Sequence, residues 1–261
     1  MSIMFHVLDT GDKKVLVGPE SNGFIGKEIK FIGKESHAGS APYEGINALN
    51  AAMLAINNVN AQRETFKEAD RVRFHPIITK GGDIVNVVPA DVRMESYVRA
   101  RTIDSMIDAN KKVNRALIAG AMAVGAEIEI TELPGYLPIL KHDNMEKVLR
   151  ENLHYIGLTD EDIIDGGDFT GSFDFGDVSH IIPTLHPMFG GVQGALHTRG
   201  YSIVNEEYAY LAPAKSMALT VVDLLFNGAE TGKEILKDFK PVMTKEEYLA
   251  FMESNDKTIK A

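Results

Sequence analysis

The sequence predicts a chain of the α/β class whose central part is an α+β, ferredoxin-like two-layer βαββαβ sandwich. Apolar and charged residues alternate with a period of two in Lys27–Lys34, Val72–Lys80, Val85–Arg99 and Ala126–Thr131, the pattern of half-buried strands. Between the first two, Ile46, Leu49, Ala52, Met53 and Ile56 recur at helical spacing, and Thr102 can cap a long helix between the last two. The resulting order, strand, helix, strand, strand, helix, strand, is the split βαβ arrangement.

Met1–Val7 is a short apolar run that reads as a buried strand. It has no basic flank and meets Asp9 and Asp12 at once, which excludes a signal peptide and a membrane span. A chain that opens directly on a core strand reads as a domain entered midway. In the central unit, Ile25, Ile29 and Phe31 line the first strand, and a helix from Tyr43 to Asn60 buries one face. Gly81-Gly82 interrupts the second and third strands, and Val92, Met94, Ser96 and Val98 share a face of the third. The second helix runs to about Gly125, and Ile128 and Ile130 alternate with Glu127 and Glu129 in the last strand. Leu133-Pro134-Gly135-Tyr136-Leu137-Pro138 marks the exit. Beyond it the sequence predicts a helix from about Asn144 to Ile156, a Gly/Asp-rich stretch from Asp165 to Asp177 and an apolar strand over Val178–Pro183. Asn205 caps a helix to about Phe226, and Thr244 with Glu247 forms a capping box for a last short helix.

The chain has 261 residues, 44% hydrophobic and 25% charged, as expected for a soluble globular protein of one large or two small domains. A net charge of -10 sets the average field against nucleic acid and anionic membrane, so neither is an expected partner. Cysteine is absent, which excludes disulfides and thiolate metal sites and is compatible with a cytoplasmic location. Any metal must use His, Asp or Glu.

His37, Pro42-Tyr43-Glu44-Gly45, Asn47-Ala48-Leu49 and Asn57-Asn58, followed by Gly81-Gly82-Asp83-Ile84-Val85-Asn86-Val87-Val88-Pro89, carry a resemblance. From about Met1 to Asn227 the chain resembles the carboxy-terminal portion of a metal-dependent amidohydrolase of the aminoacylase/carboxypeptidase superfamily of zinc metallopeptidases. The p-aminobenzoyl-glutamate hydrolase-like branch is the one it resembles. The resemblance implies a lid or dimerisation domain inserted in an α/β catalytic domain, with divisions at 1–24 (catalytic fragment), 25–133 (lid), 134–230 (remainder of the catalytic domain) and 231–261 (helical tail). Members of the family carry a His-x-Asp pair and a Glu-Glu pair ahead of these motifs. Neither precedes the lid here, so the catalytic domain is expected to be truncated.

The resemblance also implies roles. His6 falls where a metal-binding His stands at a strand end; its plainer reading is a core histidine. His197, in Gly194-Ala195-Leu196-His197-Thr198, matches the last metal ligand, or is a surface-loop histidine. His37 resembles the lid histidine that, in dimers of this family, reaches into the partner's site and steadies the oxyanion; otherwise it is a turn residue. Asn86 and Arg99 resemble the pair that holds the substrate's carboxylate or carbonyl, with Gly194 as a further substrate contact. Arg99 can equally be a solvated edge-strand charge, and Arg101 is its neighbour. His75, His142, His154, His180 and His186 read as structural, with His180 and His186 in the segment leading to the site. Glu206-Glu207 looks like the family's catalytic pair but follows Asn205 at a helix start, where carboxylates meet the helix dipole. Asp165–Asp177 lacks the spacing of a calcium loop, and Phe173 stands where the family usually has Thr.

The implied cofactor is a divalent metal, zinc, manganese or nickel, at an incomplete site, since stable zinc binding takes about three or four protein ligands. The implied function is hydrolysis of an amide bond in an N-acyl amino acid, dipeptide or aminobenzoyl-glutamate-like substrate, as part of a complete enzyme and as a homodimer through the lid. The alternative is a catalytically incompetent truncated or split-gene fragment that acts as a dimerising or ligand-binding module.

Overall fold

The computed structural model describes residues 1–261. They form two compact units, Met1–Ser21 with Ile139–Lys245, and Asn22–Pro138 with Glu246–Ala261. The first unit opens with β1 (Ser2–Ile3), β2 (His6–Val7) and β3 (Val15–Val17). The second holds β4 (Gly23–Ile32), α1 (Ala48–Ala61), β5 (Arg73–Lys80), β6 (Asp91–Ala100), α2 (Ile103–Met122) and β7 (Glu127–Pro134). The chain then returns to the first unit with α3 (Asp143–Tyr155), β8 (Ile163–Asp165), α4 (Phe175–Ser179), β9 (Thr184–Leu185), β10 (Met188–Phe189), β11 (Val192–Gln193), β12 (Ser202–Ile203) and α5 (Ala212–Asp238). It ends in the second unit with α6 (Lys245–Ser254) and β13 (Lys257–Lys260).

The second unit is the ferredoxin-like sandwich the sequence predicts. Its sheet runs β13-β7-β4-β6-β5, antiparallel at every pairing. Both helices lie on one face, where Ala51, Ala52, Ala55, Val113, Ala116 and Leu117 pack with Ile29, Phe31, Val92, Met94, Val98, Ile128 and Ile130. The helix starts are set locally: Asn47 Oδ1 accepts from Leu49 N and Asn50 N, and Thr102 and Ser105 cap each other. Small residues let α1 and α2 approach closely; a Cβ on Gly120 would lie 2.7 Å from Ala55 Cβ. Gly120→Val is therefore expected to force the helices apart and to destabilise this unit by about 1–3 kcal/mol. Urea unfolding followed by circular dichroism reads that loss, and an unchanged midpoint would refute it.

In the first unit β2, β10, β3 and β8 form one mixed sheet, and β1 pairs in parallel with β9. Val15, Val17 and Ile163 share a core with Leu149 and Leu153 of α3 and Leu224 of α5. Segment Glu207–Asp238 is long and apolar enough to cross a membrane by length and composition alone, but its backbone leaves helical geometry at Phe226–Ala229. Three of those residues, Asn227, Gly228 and Ala229, are left-handed, so the helix capped near Asn205 stops where the sequence predicts.

Several elements differ from the sequence reading. Met1–Val7 is two short, partly exposed strands rather than one buried strand, because each pairs only with a two-residue partner. The first lid helix begins at Ala48, after a 3₁₀ turn at Pro42–Glu44, and the third strand begins at Asp91 because Ile84–Val87 closes a turn. Val178–Pro183 is the end of α4 and the turn after it, held by Ile181 N and Ile182 N donating to Val178 O. The tail is not helical throughout: Lys257–Lys260 adds to β7, with Ile259 packed at the edge of the sandwich core and Lys260 paired with Glu129 at 2.6 Å.

Candidate active site

Two loops of the second unit bring His37 and Asn86 together. His37 bridges to Val87, Ala38 N donates to Asn86 O at 2.9 Å and Val88 N donates to Ser36 O at 3.0 Å. The His37 ring is exposed, and its Nδ1 accepts from both Gly39 N and Ser40 N at 3.1 Å. An acceptor nitrogen carries a lone pair, so the proton of the neutral ring resides on Nε2. His37 thus presents an N–H donor to solvent. Beside the loops lies a cleft of about 590 Å³ lined by Ala38, Pro42, Leu49, Gly81, Gly82 and Val88 among others.

Arg99 lies elsewhere. It sits at the far end of β6, opposite Phe24 of β4 and Arg73 of β5. Its guanidinium lies over the rings of Phe24 and Tyr97, at 5.2 and 5.3 Å, and its Nε donates to His75 Nε2 at 3.3 Å. Burial pulls its pKa down from the ordinary guanidinium value, opposed by Tyr97. Eight residues of strand separate Arg99 from Asp91, about 26 Å at roughly 3.3 Å per residue. The expected pairing of Asn86 with Arg99 therefore does not form within one protomer. The cross-strand register supplies Arg99 with neighbours that the sequence reading missed, His75 and Tyr97, which pair directly. Period-two phasing of the two strands is the signal that could have found them.

In the first unit, His6 on β2 and His186 share a hydrogen bond of 2.7 Å from Nδ1 to Nε2. Phe173 packs against both rings, 4.7 Å from His6 and 4.6 Å from His186, and Phe169 stacks on Phe173. A bulky ring thus packs against the histidine pair. Burial lowers the pKa of both histidines. His186, with His6 beside it, falls to about 3; for His6, Asp174 opposes the fall. His186 is therefore neutral near pH 7. With the shared proton on His6 Nδ1, its Nε2 keeps the lone pair that a metal requires.

His197 occupies a left-handed backbone position, φ 61°, and is exposed. Two tethers hold its loop beside the end of β2: Tyr201 Oη donates to Val7 O at 2.7 Å, and Gly194 N donates to Asp9 Oδ2 at 3.0 Å. The loop that carries His197 is thus fixed next to the strand that carries His6. Asp9 has taken the Gly194 amide, leaving that residue only its carbonyl to offer a substrate. No group of three or more His, Asp or Glu side chains converges as a metal site. His6 and His197 suit a divalent ion in chemistry but do not complete its coordination.

Residues 20–122 match the peptidase dimerisation domain. They form such a domain. The chain is 34% identical over 233 residues to the Xaa-Arg dipeptidase of Homo sapiens, covering 86% of this chain and 52% of the relative. It is 32% identical over 98 residues to Carboxypeptidase G2 of a Pseudomonas species, covering 37% of this chain and 22% of that one. Over most of its length it is thus homologous to peptidases, and it spans about half the length of the dipeptidase. Among solved structures, an amidase of the hydantoinase/carbamoylase family from Burkholderia vietnamiensis superposes with TM-score 0.71 at 17% identity, covering 87% of this chain and 55% of that one. The aminobenzoyl-glutamate utilization protein of Klebsiella pneumoniae superposes with TM-score 0.64 at 16% identity, covering 87% and 55%. Both share its fold.

The dimerisation domain therefore contains His37, Asn86 and Arg99, while His6, His197 and Gly194 belong to the other unit. Its most distinctive chemical group is the exposed His37 Nε2–H, held by two backbone donors rather than by another side chain.

Proposed function

We propose that this chain takes part, within a complete enzyme, in metal-dependent hydrolysis of an amide bond in a dipeptide, N-acyl amino acid or aminobenzoyl-glutamate-like substrate. It acts as a homodimer through the dimerisation domain, in the cytoplasm, where a cysteine-free chain loses nothing. The observation that carries this reading is the His37 tautomer. An Nε2–H donor aimed at developing negative charge contributes about 3 kcal/mol to transition-state stabilisation. Arg99, already oriented by Phe24 and Tyr97, offers a planar fork to a substrate carboxylate, and Asn86 offers an amide. His6 and His197 would offer two imidazoles to a zinc, manganese or nickel ion, whose coordination they do not complete. The dipeptidase homology supports the substrate class.

The incomplete ligand set favours a second reading, a dimerising or ligand-binding module without catalysis of its own. The two are separated by assaying the 261-residue chain with each metal against an Xaa-Arg dipeptide, an N-acetyl amino acid and aminobenzoyl-glutamate. Hydrolysis abolished by chelation and by His197→Ala supports the first reading. Saturable binding without turnover supports the second, and neither turnover nor binding overturns both.

A further inference from the structure

A hollow of about 320 Å³ lies on the face of the second unit's sheet opposite its helices, lined by Gly26, His75, Glu95, Tyr97, Arg99 and Leu133 among others. Gly26 is its floor. A Cβ there would stand 3.3 Å from Leu133 Cβ and 3.8 Å from Tyr97 Cε1, so the missing side chain keeps the hollow open. The Phe24 and Tyr97 rings give the Arg99 guanidinium a surface to rest on, but attraction to a ring face does not dictate how the planar group turns. A hydrogen bond does, because it is directional. Arg99 Nε donates to His75 Nε2 at 3.3 Å, and His75 is itself set edge-on to the Tyr97 ring, 6.1 Å away at 75°, directly across from it in the β5–β6 register. We propose that His75 is a positioning residue for substrate: by engaging Arg99 Nε it commits the bidentate grip on a substrate carboxylate to the two Nη groups. The inference rests on the reading of Arg99 as the carboxylate fork and adds the residue that sets the fork's orientation.

A guanidinium can hold a carboxylate along either of two kinds of edge, Nε with one Nη or both Nη together. Engaging Nε selects the second. A side chain oriented before the ligand arrives also loses less conformational freedom on binding, so the His75 contact acts on affinity for the carboxylate rather than on the chemistry of the amide. The contact needs a lone pair on Nε2, which in the neutral ring places the proton on Nδ1. A protonated ring has no acceptor. It would also be a cation beside two guanidinium groups, Arg99 and Arg73, which stand opposite each other in the register, while Tyr97 faces it from β6 and Glu28 and Glu95 are the carboxylates that line the hollow. Protonating His75 therefore turns a brace for Arg99 into a repulsion, and carboxylate affinity falls on acidification.

The test is a binding titration of the ¹⁵N-labelled 261-residue chain, read from the Arg99 Nε–H resonance, which is assigned by its loss in Arg99→Met. The probe is N-acetylglycine, whose carboxylate stays charged from about pH 8 to about pH 5, the range over which imidazole gains its proton; N-acetylglycinamide, without the carboxylate, is the control. His75 is exposed, so substitution there leaves the fold intact, as circular dichroism checks. The unmodified protein is expected to bind N-acetylglycine and not the amide. His75→Ala should weaken binding about fivefold, the worth of one hydrogen bond, and His75→Gln, whose amide oxygen can accept from Nε, should restore it. Affinity of the unmodified protein should fall across that pH range while that of His75→Gln stays level, a difference that a purely structural role for His75 would not produce. If His75→Ala binds as tightly as the unmodified protein, if His75→Gln is as weak as His75→Ala, or if the pH dependence is the same with and without the imidazole, the positioning role is wrong and the Arg99 reading stands. If N-acetylglycine does not bind the unmodified protein, or if calorimetry shows that it binds Arg99→Met equally well, the Arg99 reading falls and this inference falls with it.

Discussion

Glu132→Ala is expected to destabilise the dimerisation domain by about 3–5 kcal/mol, because it strands a buried charge. Lys27 of β4 and Glu132 of β7 pair at 2.8 Å, and neither side chain is exposed at all. They face the helices. Asn110 and Asn114 of α2 both donate to Glu132 Oε1, at 2.7 and 2.6 Å, and Lys27 also donates to Asn114 Oδ1 at 2.6 Å. From β13, Lys257 reaches Glu132 Oε2 at 3.4 Å. Removing the carboxylate leaves an ammonium ion in the core with one amide oxygen for company. Lys27→Met is expected to do comparable harm, and Lys27→Met with Glu132→Leu together far less than the sum, since an apolar pair of similar volume needs no compensation. Urea unfolding of the three variants tests this; additive losses would show that the two side chains are not energetically coupled.

The same pair gives a pH dependence. Burial raises the Glu132 pKa, but the Lys27 charge and the hydrogen bonds from Asn114, Lys27 and Asn110 outweigh it and pull the group down to about 2. Burial likewise lowers Lys27, with Glu132 opposing, so the carboxylate is where the pairing dominates. The folded pKa lies below the ordinary value of 4.5, so the unfolded chain binds more protons between those limits. Stability from this group is fully present above about pH 4.5 and is lost as pH falls toward 2, on the order of 3 kcal/mol in all. Glu132→Gln should remove that part of the acid slope. Parallel slopes in the two proteins would place the acid sensitivity elsewhere.

The sandwich was legible because each strand alternates and each helix buries one apolar face; Thr102 caps where the sequence suggests, while Asn47, which lies inside the expected first helix, turns out to be its cap. What escaped depends on partners far away in sequence. Lys257-Thr258-Ile259-Lys260 is too short and too polar to announce a strand, and it becomes one because the edge of β7 is open to it. His6 and His186 are 180 residues apart, and neither residue alone signals the pair. Asn86 and Arg99 differ in the opposite direction: close in sequence, they are separated by the length of an extended strand. The His37 loop could be recognised from its motif. The ring's tautomer could not, because it follows from how Gly39 and Ser40 turn their amides back onto Nδ1.

Within the proposed enzyme, His37→Ala is expected to lower kcat by about 10²–10³-fold with a small change in KM, as for loss of one oxyanion donor. The ring is exposed and its bonds are local, so circular dichroism should not change. His197→Ala should also abolish turnover, by removing one of the two imidazoles offered to the metal. Mixing the two inactive proteins then asks which protomer His37 serves. If it crosses to the neighbour, a mixed dimer has one site with the intact His197 of one chain and the His37 of the other, while its second site lacks both. With random exchange half the dimers are mixed, so about one quarter of wild-type activity should return. If His37 serves its own chain, each site in the mixed dimer lacks one of the two groups, and nothing returns. The separation of His37 from Arg99 along β6 favours recovery, because a substrate held by one chain's Arg99 can meet a donor near it only from another chain.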